Sequence, residues 1–331
     1  MATTSAQDLR ITAHNEGVSK VVEGRFSGEH LEALDILGTE SVDKMEIEIH
    51  AVGDDDFVTR VDTRRAPGAP FKEVGLTRSF RKFDFGHFGL EAVRSREQMI
   101  AETMRPAAAF TAVHYQSLVR QIMKLDQELG RVELLTNPST WATAGHAVDV
   151  GATFAWDHAS GDLFGNIKAG KELLRADTSI GERAYTLWMP HQALQAALED
   201  TDYKAALAAT ASTLSLQDPG IESLAVYLGV DIQTDSESSL EFVDDANPTR
   251  TNAWGDVAIL YIDHRKMSAS GNPISVLKRL GRVFQHKRFA AQQTIFDWTR
   301  NVWRWRREEA ERSWVLNDEF GVLFHDVSDA V

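Results

Sequence analysis

The sequence predicts an α+β chain with more than one compact unit, and three observations carry that reading. Apolar residues alternate at period two between Val42 and Leu90, where Met45, Ile47 and Ile49 share a face. A helical spacing of three and four runs through Tyr115, Leu118, Ile122, Leu125, Leu129 and Val132. The 331 residues exceed an ordinary single domain of roughly 100–200.

Composition narrows the function classes. With 35 Lys+Arg against 49 Asp+Glu the net charge is −14, which speaks against a dedicated nucleic-acid reader, since phosphate binding needs a basic footprint. A content of 43% hydrophobic and 25% charged residues is globular material and excludes wholesale disorder. Zero cysteines exclude disulfides, thiolate zinc sites, iron–sulfur clusters and cysteine nucleophiles. The opening Met1 to Asp8 has neither a basic nor an apolar signal region, and no apolar run approaches the ~20 residues of a membrane span. The expectation is a soluble protein made in a reducing cytosol, with no membrane partner.

Taken in order, residues 1–41 are polar and cut by Gly17, Gly24, Gly28 and Gly38, with one helical turn or two at Leu31, Leu34 and Leu37. They read as an arm that needs another surface. Residues 42–95 read as a long β excursion, with Phe83, Phe85 and His87 on one face. Its polar tip, Arg64-Arg65-Ala66-Pro67-Gly68-Ala69-Pro70, bars both helix and central strand. Such a hairpin is marginal alone. Pro106 suits a first helical position, and a helix from there to Leu135 would run about 45 Å. Beyond Trp141 the pattern is mixed: helices at Asp162–Leu174, His191–Leu198, Tyr203–Ala211 and Ile221–Leu228, and buried strands at 184–189 and 257–262. The C-terminus returns to strand, with Trp303 and Trp305 alternating with Arg304 and Arg306, and a last strand from Phe320 to Val327.

Four patterns could carry chemistry. Gly165 to Lys171 has the spacing of a phosphate-binding loop, but Glu172 stands where a hydroxyl should meet Mg²⁺, and the segment is helical; glycine at a packing contact is the better reading. His146 and His158, with Asp149 and Asp157 near, lack any standard metal-ligand spacing. Asp54-Asp55-Asp56 and Asp235-Ser236-Glu237 read as solvated turns. Lys278-Arg279-Leu280-Gly281-Arg282 with His286-Lys287-Arg288 reads as a solvated basic face, and the tryptophans between Trp298 and Trp314 as sheet core.

The order of these pieces resembles the major capsid protein of tailed double-stranded DNA bacteriophages, the Hong Kong 97-like fold. The resemblance implies an arm at 1–41, an extended β loop at 42–95, a peripheral domain with the spine helix at 96–150, a mixed α/β axial domain at 151–288, and a return to the peripheral sheet at 289–331. Trp156-Asp157, Leu187-Trp188-Met189-Pro190, Leu228-Gly229-Val230 and Trp254 to Leu260 resemble the axial domain, and Phe320 to Phe324 the last peripheral strand. It further implies a non-enzymatic structural protein without cofactor or metal, assembling as pentamers and hexamers of an icosahedral shell around packaged DNA held as non-specific content. Scaffolding, portal and decoration proteins are the other implied partners, and the virion, assembled in host cytoplasm, the implied location. Arg64, Arg65, Pro67, Gly68, Phe71 and Lys72, at the loop tip, become the inter-subunit contact candidates. Two rivals stand: an encapsulin-like nanocompartment shell, and an α/β enzyme using the Gly165–Lys171 loop or the His146/His158 pair.

Overall fold

The computed structural model describes residues 32–44, 46–52, 78–103, 109–151, 154–178, 185–210, 220–234, 241–244, 247–263, 280–288 and 291–328. In chain order come α1 (Glu32–Leu37), β1 (Thr39–Val42), β2 (Glu46–Val52), β3 (Arg78–Asp84), β4 (Gly86–Ser95), α2 (Arg96–Thr103) and α3 (Ala109–Thr136). Next are β5 (Ala147–Asp149), α4 (Leu163–Asp177), β6 (Tyr185–Met189), α5 (His191–Glu199), α6 (Thr201–Thr210) and α7 (Ile221–Leu228). The rest are strands: β7 (Asp231–Thr234), β8 (Glu241–Asp244), β9 (Asn247–Asn252), β10 (Val257–Ile262), β11 (Gly281–His286), β12 (Ala291–Asp297), β13 (Val302–Val315) and β14 (Gly321–His325). None of the described helices is long and apolar enough to cross a membrane. Two compact units result. The first uses the described residues within 1–46, 84–131 and 283–313, the second those within 47–83, 132–282 and 314–331.

In the first unit the 14-residue β13 organises the sheet. β4 pairs antiparallel along it from Ser95↔Val302 to Gly86↔Glu311, and β12 from Asp297↔Val302 to Ala291↔Glu308. The β12–β13 turn is set by Asp297, whose carboxylate accepts from the N–H groups of Thr299 and Arg300, and by Asn301 at φ 55. At the other edge β1 lies parallel to β11, Thr39↔Val283 to Val42↔His286. Gly38 makes this junction: at φ 74 it closes α1 through a 2.7 Å bond from its N–H to Leu34 O, and its carbonyl accepts from Val283 N–H.

The second unit holds a mixed sheet in the order β5-β14-β10-β6-β7. β6 and β10 are buried at every position, which is why both read as unbroken apolar runs. Trp156, Trp188, Trp254, Leu187, Leu260 and Phe324 form its core. α4 buries Leu163, Ile167, Gly170 and Leu174. A Cβ at Gly170 would lie 3.1 Å from both Leu260 Cδ2 and Phe324 Cζ, so glycine sets how closely this helix approaches the sheet.

Three sequence expectations change here. Residues 42–95 do not form one free excursion, because β4, at their C-terminal end, is a strand of the first sheet. Phe85 breaks the alternation: it is buried edge-on to His286, while His87 is exposed. Phe320 to Phe324 does not extend the sheet of Trp303 and Trp305. It forms β14 and sits between β5 and β10 in the second unit, where an apolar strand is covered on both faces.

Candidate functional site

The most heavily built polar feature of the first unit lies between α3 and the sheet. α3 buries Gln116, Val119, Met123, Gln127 and Arg131, successive members of one helical row. β13 answers with Glu309 and Glu311, two apart and therefore on one face of the strand. Arg131 is 0% exposed and Glu311 3%. Arg131 Nε donates to Glu311 Oε1 at 2.9 Å, and its Nη1 to Glu128 Oε2 at 2.7 Å. A planar guanidinium can serve two carboxylates from separate edges, which a lysine ammonium does less well.

The network extends in both directions. Glu311 accepts from Gln285 Nε2 on β11 at 3.1 Å. Glu309 accepts from Lys124 Nζ at 3.1 Å, Gln127 Nε2 at 3.0 Å and Arg307 Nε at 2.7 Å. Gln116 reaches Thr294 at 2.9 Å. Glu128 also accepts the backbone N–H of Ala33 at 2.7 Å, so the spine helix holds the first turn of α1. Burial pushes the Glu128 carboxyl above its ordinary value, outweighing Arg131 and the amides of Ala33 and Leu34. For Glu309 burial pulls upward too, but the charges of Lys124 and Arg307 and the hydrogen bonds from Gln127 and Arg307 win, and its carboxyl lies below the ordinary value.

The apolar stripe expected on this helix is only partly inward. Tyr115 is buried and stacks on Trp305 with centroids 4.7 Å apart, whereas Leu118 and Ile122 are 39% and 46% exposed. The ion network occupies the inward row, which turns these two leucine and isoleucine side chains out. Val93 and Ile100, also of this unit, are 48% and 45% exposed.

Of the predicted contact residues, Arg64, Arg65, Pro67, Gly68, Phe71 and Lys72 lie outside the described residues, as does Pro106. The phosphate-loop pattern has structural duties. Asp162 caps α4 by accepting from Gly165 N–H at 2.7 Å, placing a carboxylate where a phosphate would have to sit. Lys171 Nζ donates to the carbonyls of Leu228 and Gly229 at 2.6 and 3.0 Å, closing the C-terminus of α7. The two histidines have separate partners. His146 is buried between Gly321 O at 2.6 Å and Asp177 Oδ2 at 2.8 Å, and His158 accepts from Ser160 N–H.

The described part of the basic cluster is split: Arg282 and His286 are buried in β11, whereas Lys287, which pairs with Asp43 at 3.7 Å, and Arg288 are exposed. Trp305 is sheet core as expected, but Trp298 at the β12–β13 turn is 67% exposed. Nothing in the sequence marked Glu309 and Glu311 as buried, and Glu128 and Arg131 fall off the apolar stripe of the helix, where periodicity places them outside. One trace existed: Glu128 and Arg131 are three apart on a helix, the spacing of a side-chain pair.

No family model and no curated protein matches the sequence. Solved structures do. A phage-related protein from Bordetella bronchiseptica is similar at TM-score 0.66 and 18% identity, over 94% of this chain and 98% of that one. The capsid of cyanophage P-SCSP1u follows at TM-score 0.55 and 8% identity, over 91% of each chain. The chain has the Hong Kong 97-like capsid fold. The SrpI encapsulin of Synechococcus elongatus is similar at TM-score 0.53 and 10% identity, over 92% of this chain and 90% of that one. Since similarity runs along nearly the whole of each chain, the capsid fold accounts for both compact units and not for a shared fragment.

Proposed function

We propose that the protein is a structural shell protein that assembles with copies of itself into a closed icosahedral capsid of pentamers and hexamers enclosing double-stranded DNA. The observation that carries this is the full-length capsid fold, with 94% of the chain aligned on the phage-related protein. The outward Leu118 and Ile122 support it, because apolar side chains on a helix whose inward row is ionic have neighbours to gain by association. Many modest interfaces repeated by symmetry suffice for a stable shell. In this reading the loop tip, with Arg64, Arg65, Pro67, Gly68, Phe71 and Lys72, contacts an adjacent subunit. Separate scaffolding, portal and decoration proteins, assembly in a host cytoplasm and residence in the virion belong to the same proposal.

A second reading is a nanocompartment that encloses protein cargo, supported by the encapsulin similarity at nearly the same TM-score as the cyanophage capsid. An enzymatic reading loses its main support, because Gly170 and Lys171 are engaged in packing and capping. The test is electron microscopy and mass photometry of the purified chain, alone and co-expressed with a candidate scaffold. Closed particles containing nuclease-resistant DNA support the capsid. Particles filled with one co-purifying enzyme favour the compartment, and a monomer under every condition refutes both. Replacing Arg64 through Pro70 by a short Gly-Ser turn is expected to leave the protomer's circular dichroism unchanged and to prevent shell closure.

A further inference from the structure

We propose that Asp149, His325 and Asp326 form a binding site for a divalent first-row transition cation, with zinc the best match to the donor set. The site lies within a single chain and does not rest on the shell reading. β5 and β14 are parallel neighbours, and Asp149 stands in register with His325 at the end of both strands. In-register residues on adjacent strands present their side chains on the same face, so the sheet itself brings carboxylate and imidazole together. The chain then turns at Asp326, whose φ is 55 and whose N–H donates to Asp256 O at 3.0 Å. That turn returns the Asp326 carboxylate to the same ring nitrogen.

His325 Nδ1 lies 3.2 Å from Asp326 Oδ2 and 3.8 Å from Asp149 Oδ1, and the three ligand atoms all lie within 4.8 Å of one another. Zinc bonds of about 2.0–2.1 Å in a tetrahedron put neighbouring ligand atoms about 3.3–3.4 Å apart. The two distances from the ring bracket that edge. Three protein ligands would leave a fourth position to water.

Charge points the same way. Among the described residues the basic side chain that faces both carboxylates is the imidazole of His325. Asp256 adds to the negative field beside the triad: its Oδ1 is buried without a hydrogen-bond partner. A nitrogen donor disfavours calcium and magnesium, and the lack of sulfur ligands disfavours copper(I), which leaves the imidazole–carboxylate preference of zinc and its neighbours. Binding would tie the three-residue edge strand β5 to β14.

The test uses the full, unassembled chain stripped with a chelator. Zinc is titrated calorimetrically, and cobalt(II) by its visible absorption. The expected result is one zinc per chain with a micromolar Kd, intense tetrahedral cobalt bands, and no competition from magnesium. Asp149→Asn and His325→Gln should each weaken binding by about tenfold or more with circular dichroism unchanged. Asp231→Asn, at the opposite sheet edge, should leave binding as it was. If His325→Gln does not fold, Asp149→Asn and Asp326→Asn decide, because both side chains are largely exposed. No saturable zinc binding below about 1 mM, or wild-type affinity in the Asp149 and Asp326 variants, overturns the proposal.

Discussion

Replacing Arg131 by methionine keeps much of the side-chain volume and removes the guanidinium that Glu128 and Glu311 share. Both carboxylates are then buried, at 0% and 3% exposure, with no cation between them. Breaking a buried pair from one side costs about 3–5 kcal/mol, because the remaining charge has lost its water and its partner. In urea, with a slope of about 1–3 kcal/mol per molar, that is a fall in midpoint of about 1–5 M for the first unit. The stacking of Tyr115 on Trp305 gives a fluorescence reporter inside that unit. The sign with pH is fixed by Glu128. Its carboxyl is already raised by burial, and loss of Arg131 removes the main influence holding it down. Protonation therefore becomes easier in the folded variant, and the deficit should shrink between pH 7 and pH 5. A triple variant, Arg131→Met with Glu128→Gln and Glu311→Gln, keeps neutral acceptors for Ala33 and Gln285 and should recover most of the loss. A midpoint within about 0.3 M of wild type at pH 7, or a triple variant no better than the single one, would show that the network is not buried as described.

Other outcomes follow from the same geometry. Glu309 sits below its ordinary 4.5, so its contribution is present at neutral pH and is lost as pH falls from that value through the folded one. Glu309→Gln should cost about 1–3 kcal/mol at pH 7 and much less near pH 3, measured by urea unfolding across pH. Leu118→Glu with Ile122→Glu should leave the monomer's melting temperature within about 2 °C of wild type and abolish particles in mass photometry. Gly170→Val should destabilise the second unit by about 1–3 kcal/mol through overpacking against Leu260 and Phe324. Lys171→Ala should cost only about 1 kcal/mol by uncapping α7, and should leave calorimetric ATP titrations unchanged.

The elements that were legible in the sequence are those where one physical demand dominates. β6 and β10 must be apolar throughout because both faces are covered, and α4 and α7 are flagged by their caps and periods. β11 was not legible: Arg282 and His286 made it look like a solvated charge cluster, although both are buried. The inward face of α3 was hidden for the same reason. Periodicity equates apolar with inside, yet here Gln127, Glu128 and Arg131 are inside and Leu118 and Ile122 outside. The cation triad was out of reach because 176 positions separate Asp149 from His325, and only the β5–β14 register joins them.

The strand order also sets a schedule for biosynthesis. β1, made within the first 42 residues, finds its partner only when β11 is made some 240 residues later, and β13 follows β11. The second sheet waits longer still: β14 stands between β5 and β10, and it ends at His325. Neither unit can close its sheet on a partly translated chain, and contacts so distant in sequence form slowly. A ribosome that stops early, or a protease that removes the last strand, leaves a product with an open slot in its apolar sheet. Such a product cannot present finished surfaces to other copies, so the topology itself screens incomplete chains out of any assembly.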